Sequence, residues 1–306
     1  MSAQVTARQP LLARLLRWYL RTQLRGRTRL TAVVTRHLST LWSVPIRIQD
    51  CPPLFVDLRS GHAQYLLQGE PWTHAPREQP EQEAMRRVVT PGDVALDIGA
   101  NMGIHTVLLA RLVGPRGRLF AFEPNSALLP TLRRTVAGLP NASLYTCALS
   151  DEPGRSAFFI PADDTKASLA DWTDEAIDGV AREDSCERRR LDDMVREGTI
   201  AQPDFIKCDV EGAELLVFWG AREVLDRRDA PIVLFEVNAY TCQGFGFGTS
   251  DAKDFLANLP TARYRFFEVK DDGALPAITT LTPWCNVLAI PEAKLSRFSG
   301  LRRDIQ

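Results

Sequence analysis

The run Val94-Ala-Leu-Asp97-Ile-Gly99-Ala-Asn101-Met-Gly103 decides the fold. An apolar stretch of strand length ends in Asp97, turns through Gly99 and Gly103, and re-emerges with Ile104, Val107 and Leu108 at helical spacing. Strand, tight loop and helix start follow one another without a spacer. In the middle of a parallel sheet, such a unit lets backbone approach a ligand and points helix N–H groups at it.

Downstream the same alternation continues. Arg118–Phe122 reads as a second strand closing on Glu123-Pro124, Ser126–Val136 as a helix stopped by Gly138 and Pro140, and Ser143–Ala148 as a third strand. Residues 152–190 interrupt the pattern with a predicted hairpin of Ser156–Ile160 and Cys186–Arg190. Leu191–Glu197 is a short helix, Pro203–Cys208 the fourth strand, Ala213–Leu225 an amphipathic helix, and Pro231–Phe235 the fifth strand, closing on Glu236. Ser250 is placed to cap a helix to Leu259, and Tyr264–Val269 and Trp284–Ile290 are spaced for antiparallel pairing. Alternation of this kind implies an α/β fold with a mostly parallel sheet and right-handed crossovers.

Upstream, Glu78–Val89 is a helix leading through the Pro91-Gly92-Asp93 turn. Residues 43–68 hold three strand-like runs, Ile46–Ile48, Leu54–Leu58 and Ala63–Leu67, read as a small β-meander. The expected organisation is a basic helical segment (1–42), meander and lead-in helix (43–90), a main domain (91–292, insert 152–190) and a tail (293–306).

The formal net charge of −1 argues against a molecule that is wholly a nucleic-acid binder. The average hides an asymmetry, for no acidic residue precedes Asp50, whereas arginines stand at Arg8, Arg14, Arg17, Arg21, Arg25, Arg27, Arg29 and Arg36. Leu12, Leu15, Leu16 and Tyr19 fall on one side of the helix expected over Leu11–Leu24, opposite Arg14, Arg17, Arg21 and Arg25. Such a helix either docks on the domain with its arginines solvated or attaches reversibly to anionic lipid; RNA contact is a third reading. The six cysteines are scattered without zinc spacing, which suggests free thiols in a reducing compartment. No apolar stretch reaches the roughly 20 residues of a membrane span, and a cytoplasmic protein, peripheral to the membrane at most, is expected.

Acids end four of the strands, namely Asp97, Glu123, Asp209 and Glu236. In a parallel sheet these ends share the ligand-binding edge. A dinucleotide needs G-x-G-x-x-G for its pyrophosphate, but here Asn101 occupies the place of the second glycine. S-adenosylmethionine carries no phosphate. Asp97 suits its amino group, the amides of Ala100 to Gly103 its carboxylate, and Glu123 both ribose hydroxyls. Asp209 and Glu236 are the candidates for a base or an acceptor of the substrate hydroxyl, with a divalent metal between them a weaker variant. His105, at a helix start, is a further candidate base but reads first as structural or loop-orienting, and Lys207 reads as an ion-pair partner of a neighbouring acid. Glu211 and Glu214 are explained by the helix dipole alone. The acceptor pocket is expected from Trp72–Pro80, Pro161–Asp184 and Tyr240–Gly248, the last with Phe245 and Phe247 as a lid or as inward-packed aromatics.

Taken in order, Pro91-Gly-Asp93, Asp97-Ile-Gly-Ala-Asn101-x-Gly103-x-x-Thr106, Gly114-Pro-x-Gly117, Ala121-Phe-Glu-Pro-Asn125, Ala148-Leu-Ser-Asp151, Leu191-Asp-Asp193 and Lys207-x-Asp-Val-Glu-Gly-Ala-Glu214 resemble the FkbM-type class I methyltransferases. The resemblance covers roughly residues 91–237. It implies a seven-stranded Rossmann-like sheet with one antiparallel strand near the C-terminus and S-adenosylmethionine as methyl donor. It also implies O-methylation of a sugar, glycolipid or natural-product hydroxyl, and adds Ser150 and Asp209 to the residues around the cofactor. The competing expectations are an NAD-linked oxidoreductase and a non-catalytic cofactor-binding scaffold.

Overall fold

The computed structural model describes residues 8–22, 24–48, 50–69, 79–161, 166–171, 180–278 and 280–297. Residues 72–78, 162–165 and 172–179, parts of the expected acceptor pocket, lie outside them. Helices α1 (Leu11–Leu20) and α2 (Arg27–His37) come first, followed by the antiparallel pair β1 (Val44–Ile46) and β2 (Leu54–Val56) and by α3 (Gly61–Gln68) and α4 (Gln79–Val88). The main unit starts with β3 (Val94–Ile98), α5 (Ile104–Val113), β4 (Arg118–Phe122), α6 (Leu129–Ala137) and β5 (Ala142–Tyr145). An insert contributes β6 (Ala148–Leu149), β7 (Gly154–Pro161) and β8 (Val180–Arg189). After it come α7 (Leu191–Arg196), β9 (Phe205–Cys208), α8 (Glu214–Trp219), α9 (Arg222–Leu225), β10 (Ile232–Asn238), α10 (Ala239–Gln243), α11 (Asp251–Ala257), β11 (Tyr264–Val269) and β12 (Trp284–Pro291).

The main sheet has the order β11-β12-β10-β9-β3-β4-β5, with β12 antiparallel to both neighbours and the strands from β10 to β5 parallel. This is the seven-stranded Rossmann-like sheet with one reversed strand. Its central strands are buried along nearly their whole length because both faces are covered, and apart from Asp97 and Lys207 they are apolar. On one face α5 is buried almost all round, between the sheet and a layer made by α1, α3, α4, β1 and β2. On the other face α7, α8, α9 and α11 close a second core.

Four expectations change on contact with tertiary packing. Ala63–Leu67 is helical, because Ala63, Leu66 and Leu67 bury one face at i, i+3 and i+4, so the meander has only two strands. The third strand splits after Tyr145, and Ala148–Leu149 pairs instead with β8 in a separate three-stranded sheet. The amphipathic run after Ala213 breaks into α8 and α9, where Gly220 lies against the Ser150 carbonyl. The buried Asp192 carboxylate then accepts the Glu223 and Val224 amides that open α9. Finally, Ser250 precedes α11 without a side-chain capping bond; Asp251 accepts the Gly248 amide instead. The insert does form a hairpin, but its return strand starts earlier than expected: Ser156–Ile160 pairs with Arg182–Cys186.

The N-terminal helix divides its apolar residues. Ala13, Leu16 and Leu20 dock inward, each leucine contributing about 2 kcal/mol by burial. Leu11, Leu15 and Trp18 form a second, outward stripe, with Leu15 and Trp18 55% and 68% exposed. Among the described residues no helix is long and apolar enough to cross a membrane.

A Cβ at residue 220 would stand 1.9 Å from the Ser150 carbonyl oxygen, which only backbone movement can relieve. Gly220→Ala is expected to cost about 3 kcal/mol, seen as a lower urea midpoint. An unchanged midpoint would show that this contact does not hold α8 to the insert.

Candidate functional site

The loop after β3 is shaped by glycine for two reasons. Gly99, at φ +79°, passes so close to the next strand end that a Cβ would meet the Asp209 carbonyl at 1.9 Å. Gly103, at φ +96°, leads into α5 under Leu132. Gly99 thus serves the approach of backbone to backbone, in addition to facing the cleft.

Every amide of this loop is already engaged. The N–H groups of Gly99 and Ala100 donate to Phe122 O, that of Asn101 to Glu123 Oε2 (2.7 Å), that of Met102 to Asn101 Oδ1 (2.8 Å) and that of Gly103 to Ala100 O. The expectation that the amides of Ala100 to Gly103 receive a ligand carboxylate is therefore corrected. Their hydrogen-bonding capacity is spent on closing the turn, and Asn101 adopts φ +53° to make it.

Beside the turn, a cleft runs along the carboxyl ends of β3, β4 and β9. Gly99, Asn101, Glu123, Asn125, Asp209 and Glu211 give it polar walls. Phe122, Leu128, Leu149 and Phe158, with Ala167 and Leu169 from the insert, give it apolar ones. The insert is tied down over it by the Ser168 hydroxyl, which donates to Glu211 O (2.9 Å), and by backbone bonds between Phe159 and Ser168.

The structure sorts the candidate acids across the sheet edge. Glu123 lines the cleft and accepts the Asn101 and Asn125 amides, one on each oxygen, while burial pushes its pKa up to about 7. Asp97 is fully buried beneath the loop, its Oδ2 accepting from Thr106 (2.6 Å) and its Oδ1 lying 3.9 Å from Lys207 Nζ without a hydrogen bond. Lys207 also reaches Asp209 Oδ2 (3.2 Å) and donates to Gly99 O. Asp209 lines the cleft; Glu236, one strand further, stands outside it and accepts from Trp284 Nε1 (2.8 Å). Burial and the Asp209 charge raise the Glu236 pKa to about 7. Ser150 does not face the cleft: its hydroxyl donates to Asp151, and Ala148 and Leu149 form the wall instead. Glu214 turns back on its own loop, accepting the Val210 amide, and burial raises its pKa to about 8.

His105 is buried 3.6 Å from Glu81, and desolvation holds its pKa well below the usual value, so the ring is neutral. Glu81 also accepts from Asn286 (2.6 Å). Sequence reading passes over Glu81, Asn286 and Trp284, because only the sheet order brings α4 and β12 beside β10; their one local signal is polarity within apolar alternation. Phe245 and Phe247 are no lid over the cleft: Phe247 packs edge-on against Trp219 (5.6 Å) and Phe245 stacks on Phe247. Among the described residues no group of three or more His, Cys, Asp or Glu side chains could hold a metal ion.

Fold and site define a doubly wound α/β protein with an acid-lined cleft at its switch edge. The chain belongs to the FkbM methyltransferase family, whose model, the methyltransferase FkbM domain, matches residues 97–266. It is 29% identical to the AMB antimetabolite synthetase AmbE of Pseudomonas aeruginosa, over 79% of this chain and 14% of that protein. It is 32% identical to the 2-O-methyltransferase NoeI of Sinorhizobium fredii, over 45% of this chain and 60% of that one. With the hexuronic acid methyltransferase AglP of Haloferax volcanii it shares 27% identity, over 52% and 63% respectively. The chain thus spans less than two thirds of the length of each of these relatives.

Glu123, Glu214 and Glu236 all bind protons more tightly folded than unfolded, so the folded chain holds more protons between the ordinary glutamate pKa and about 8. Stability contributed this way is complete below pH 4.5 and lost as pH rises through 7 to 8. Thermal melts of the ligand-free protein should therefore give a lower Tm at pH 8.5 than at pH 6. The double variant Glu123→Gln with Glu214→Gln should flatten that slope, and a slope unaltered by it would place the protons elsewhere.

Proposed function

We propose that the chain is an S-adenosylmethionine-dependent methyltransferase that transfers the methyl to a hydroxyl of a sugar, glycolipid or natural-product acceptor. The observation carrying this is the closed turn. A pyrophosphate needs free amides and a positive field, whereas here the amides are engaged and Glu123 places a carboxyl group over them. This counts against the NAD-linked reading and favours a ligand with hydroxyls and positive charge. Family membership supports the same donor, and the relatives' names include a 2-O-methyltransferase and a hexuronic acid methyltransferase.

The residues fit the group. Each Glu123 oxygen carries one amide and keeps a lone pair for a ribose hydroxyl, whereas Asp97, fully buried and off the cleft lining, braces the turn through Thr106 and Lys207 rather than meeting the donor's amino group. Ala100 and Gly103 shape the turn, and Asn101 and Gly99 border the cleft. When bound, the donor supplies an electrophilic methyl on a sulfonium centre. Lys207 keeps Asp209 paired, which suits Asp209 to orient an acceptor hydroxyl at the cleft's far end. Glu236, with its pKa near neutrality, is suited to take the hydroxyl proton. Holding acceptor and donor aligned can contribute about 7–11 kcal/mol. No role is derived for a divalent metal.

S-adenosylhomocysteine should raise the Tm where NAD does not, and the reverse result would replace this reading with the oxidoreductase. Glu236→Gln should lower kcat about 10²–10⁴-fold and remove a rise in rate through pH 7, and Asp209→Ala should also lower turnover. Wild-type rates in both variants would take them out of the mechanism.

Contact with an anionic membrane surface belongs to the same reading. Leu11, Leu15 and Trp18, with Leu24, Leu30 and Val33, leave an apolar surface open among arginines and no acids. The full chain should pellet with phosphatidylglycerol-containing vesicles but not with phosphatidylcholine alone. The variant Leu15→Glu with Trp18→Glu should stay in solution, and equal pelleting of the two proteins would remove the membrane contact.

A further inference from the structure

β10 and β12 run side by side, and their paired residues point to the same face of the sheet. Leu234 opposite Leu288 lies in the apolar core beneath the N-terminal layer. At the next two rungs toward the carboxyl end of β10 the same face becomes polar: Glu236 opposite Asn286, then Asn238 opposite Trp284. The opposite face stays apolar there, with Val237 and Cys285 buried. The change is therefore local to one face and one end, beside Asp209.

This end is half open. Glu236, Asn238 and Asn286 are partly exposed, and Trp284 is 65% exposed although its indole N–H is fixed on Glu236. Glu81 closes one side through its bond to Asn286, and Tyr240, 52% exposed, follows Asn238 at the rim. The surface thus offers carboxylate and amide oxygens, amide N–H groups and one held aromatic face, with little else that is apolar. A pyranose has matching parts: hydroxyls that donate and accept around its edge, and a C–H face that packs on an aromatic ring. Charge narrows the choice. Glu81, Asp97, Asp209 and Glu236 surround one lysine, Lys207, which is already paired with Asp97 and Asp209.

We propose that the rungs Glu236–Asn286 and Asn238–Trp284, flanked by Glu81, bind the acceptor, and that it is a neutral saccharide whose ring lies on Trp284. A hexuronate is excluded by the acids it would meet. This inference rests on the methyltransferase reading above and specifies its acceptor. Trp284 is here a positioning and specificity residue.

The test uses the full chain saturated with S-adenosylhomocysteine and saturation-transfer NMR with neutral methyl pyranosides (gluco, galacto, manno and 6-deoxy-galacto) and methyl glucuronide. At least one neutral glycoside should receive saturation and the glucuronide none. Trp284→Ala should weaken that glycoside's binding at least tenfold, and Trp284→Phe, which keeps a ring but no N–H, should retain most of it. Calorimetric affinity for S-adenosylhomocysteine should be unchanged in both variants, which also reports that they are folded. Failure of the wild type to bind S-adenosylhomocysteine would sink the methyltransferase reading itself. Normal S-adenosylhomocysteine binding with no signal from any pyranoside, with a preference for the glucuronide, or with full signal in Trp284→Ala would overturn the saccharide site alone.

Discussion

A single ammonium organises the functional edge. Lys207 emerges from a buried strand between Asp97 and Asp209 and donates to the carbonyl of Gly99, so it touches the ends of two neighbouring strands and the loop between them. Burying that charge without partners would cost several kcal/mol, and burying Asp97 without it would add to the cost. The attraction of Asp209 and Asp97 raises the lysine's pKa despite desolvation, which keeps it charged at neutral pH. With it in place, the acids of the edge differ in character. Asp209 is ion-paired, while Glu123 and Glu236 sit near neutrality because burial outweighs their partners.

Much of this was legible in the order of residue types. Strands buried on both faces announce themselves as short apolar runs, and the acid ending each run locates the ligand edge, as Asp97, Glu123, Asp209 and Glu236 do here. Ala63–Leu67 is ambiguous by itself because five apolar-rich residues satisfy a strand and a helix equally, and only its neighbours choose the helix. The break at Gly220 and the split after Tyr145 depend on contacts with the insert, seventy residues from the glycine in sequence, and no local pattern carries them. The loop amides misled for a different reason. Glycine spacing suggests donors aimed at a ligand, but the bonds to Phe122 and Glu123 exist only once β4 lies beside β3. Asn286 and Trp284 are legible in hindsight as polar breaks in Trp-Cys-Asn-Val-Leu-Ala-Ile, although nothing there says which sheet face they share.

The N-terminal layer shows how one helix can serve two environments. Its docking face and its outward stripe are interleaved along ten residues, so a single hydrophobic count cannot separate them. Tertiary contact fixes the register of the helix, and that register decides which leucines are left to solvent. Thr135 does similar work nearby, accepting the Phe55 amide and so binding β2 to α6.

The contact between Gly99 and the Asp209 carbonyl has room for a hydrogen atom and nothing larger. Two neighbouring strand ends are thereby locked at one separation, whatever molecule arrives. Descendants of this chain could acquire new tastes only where the frame is slack, at α4, at the far rungs of β12 and in the insert, while the donor half stays frozen. Diversification in such a scaffold is lopsided by construction: one wall is inherited and the other is free to wander.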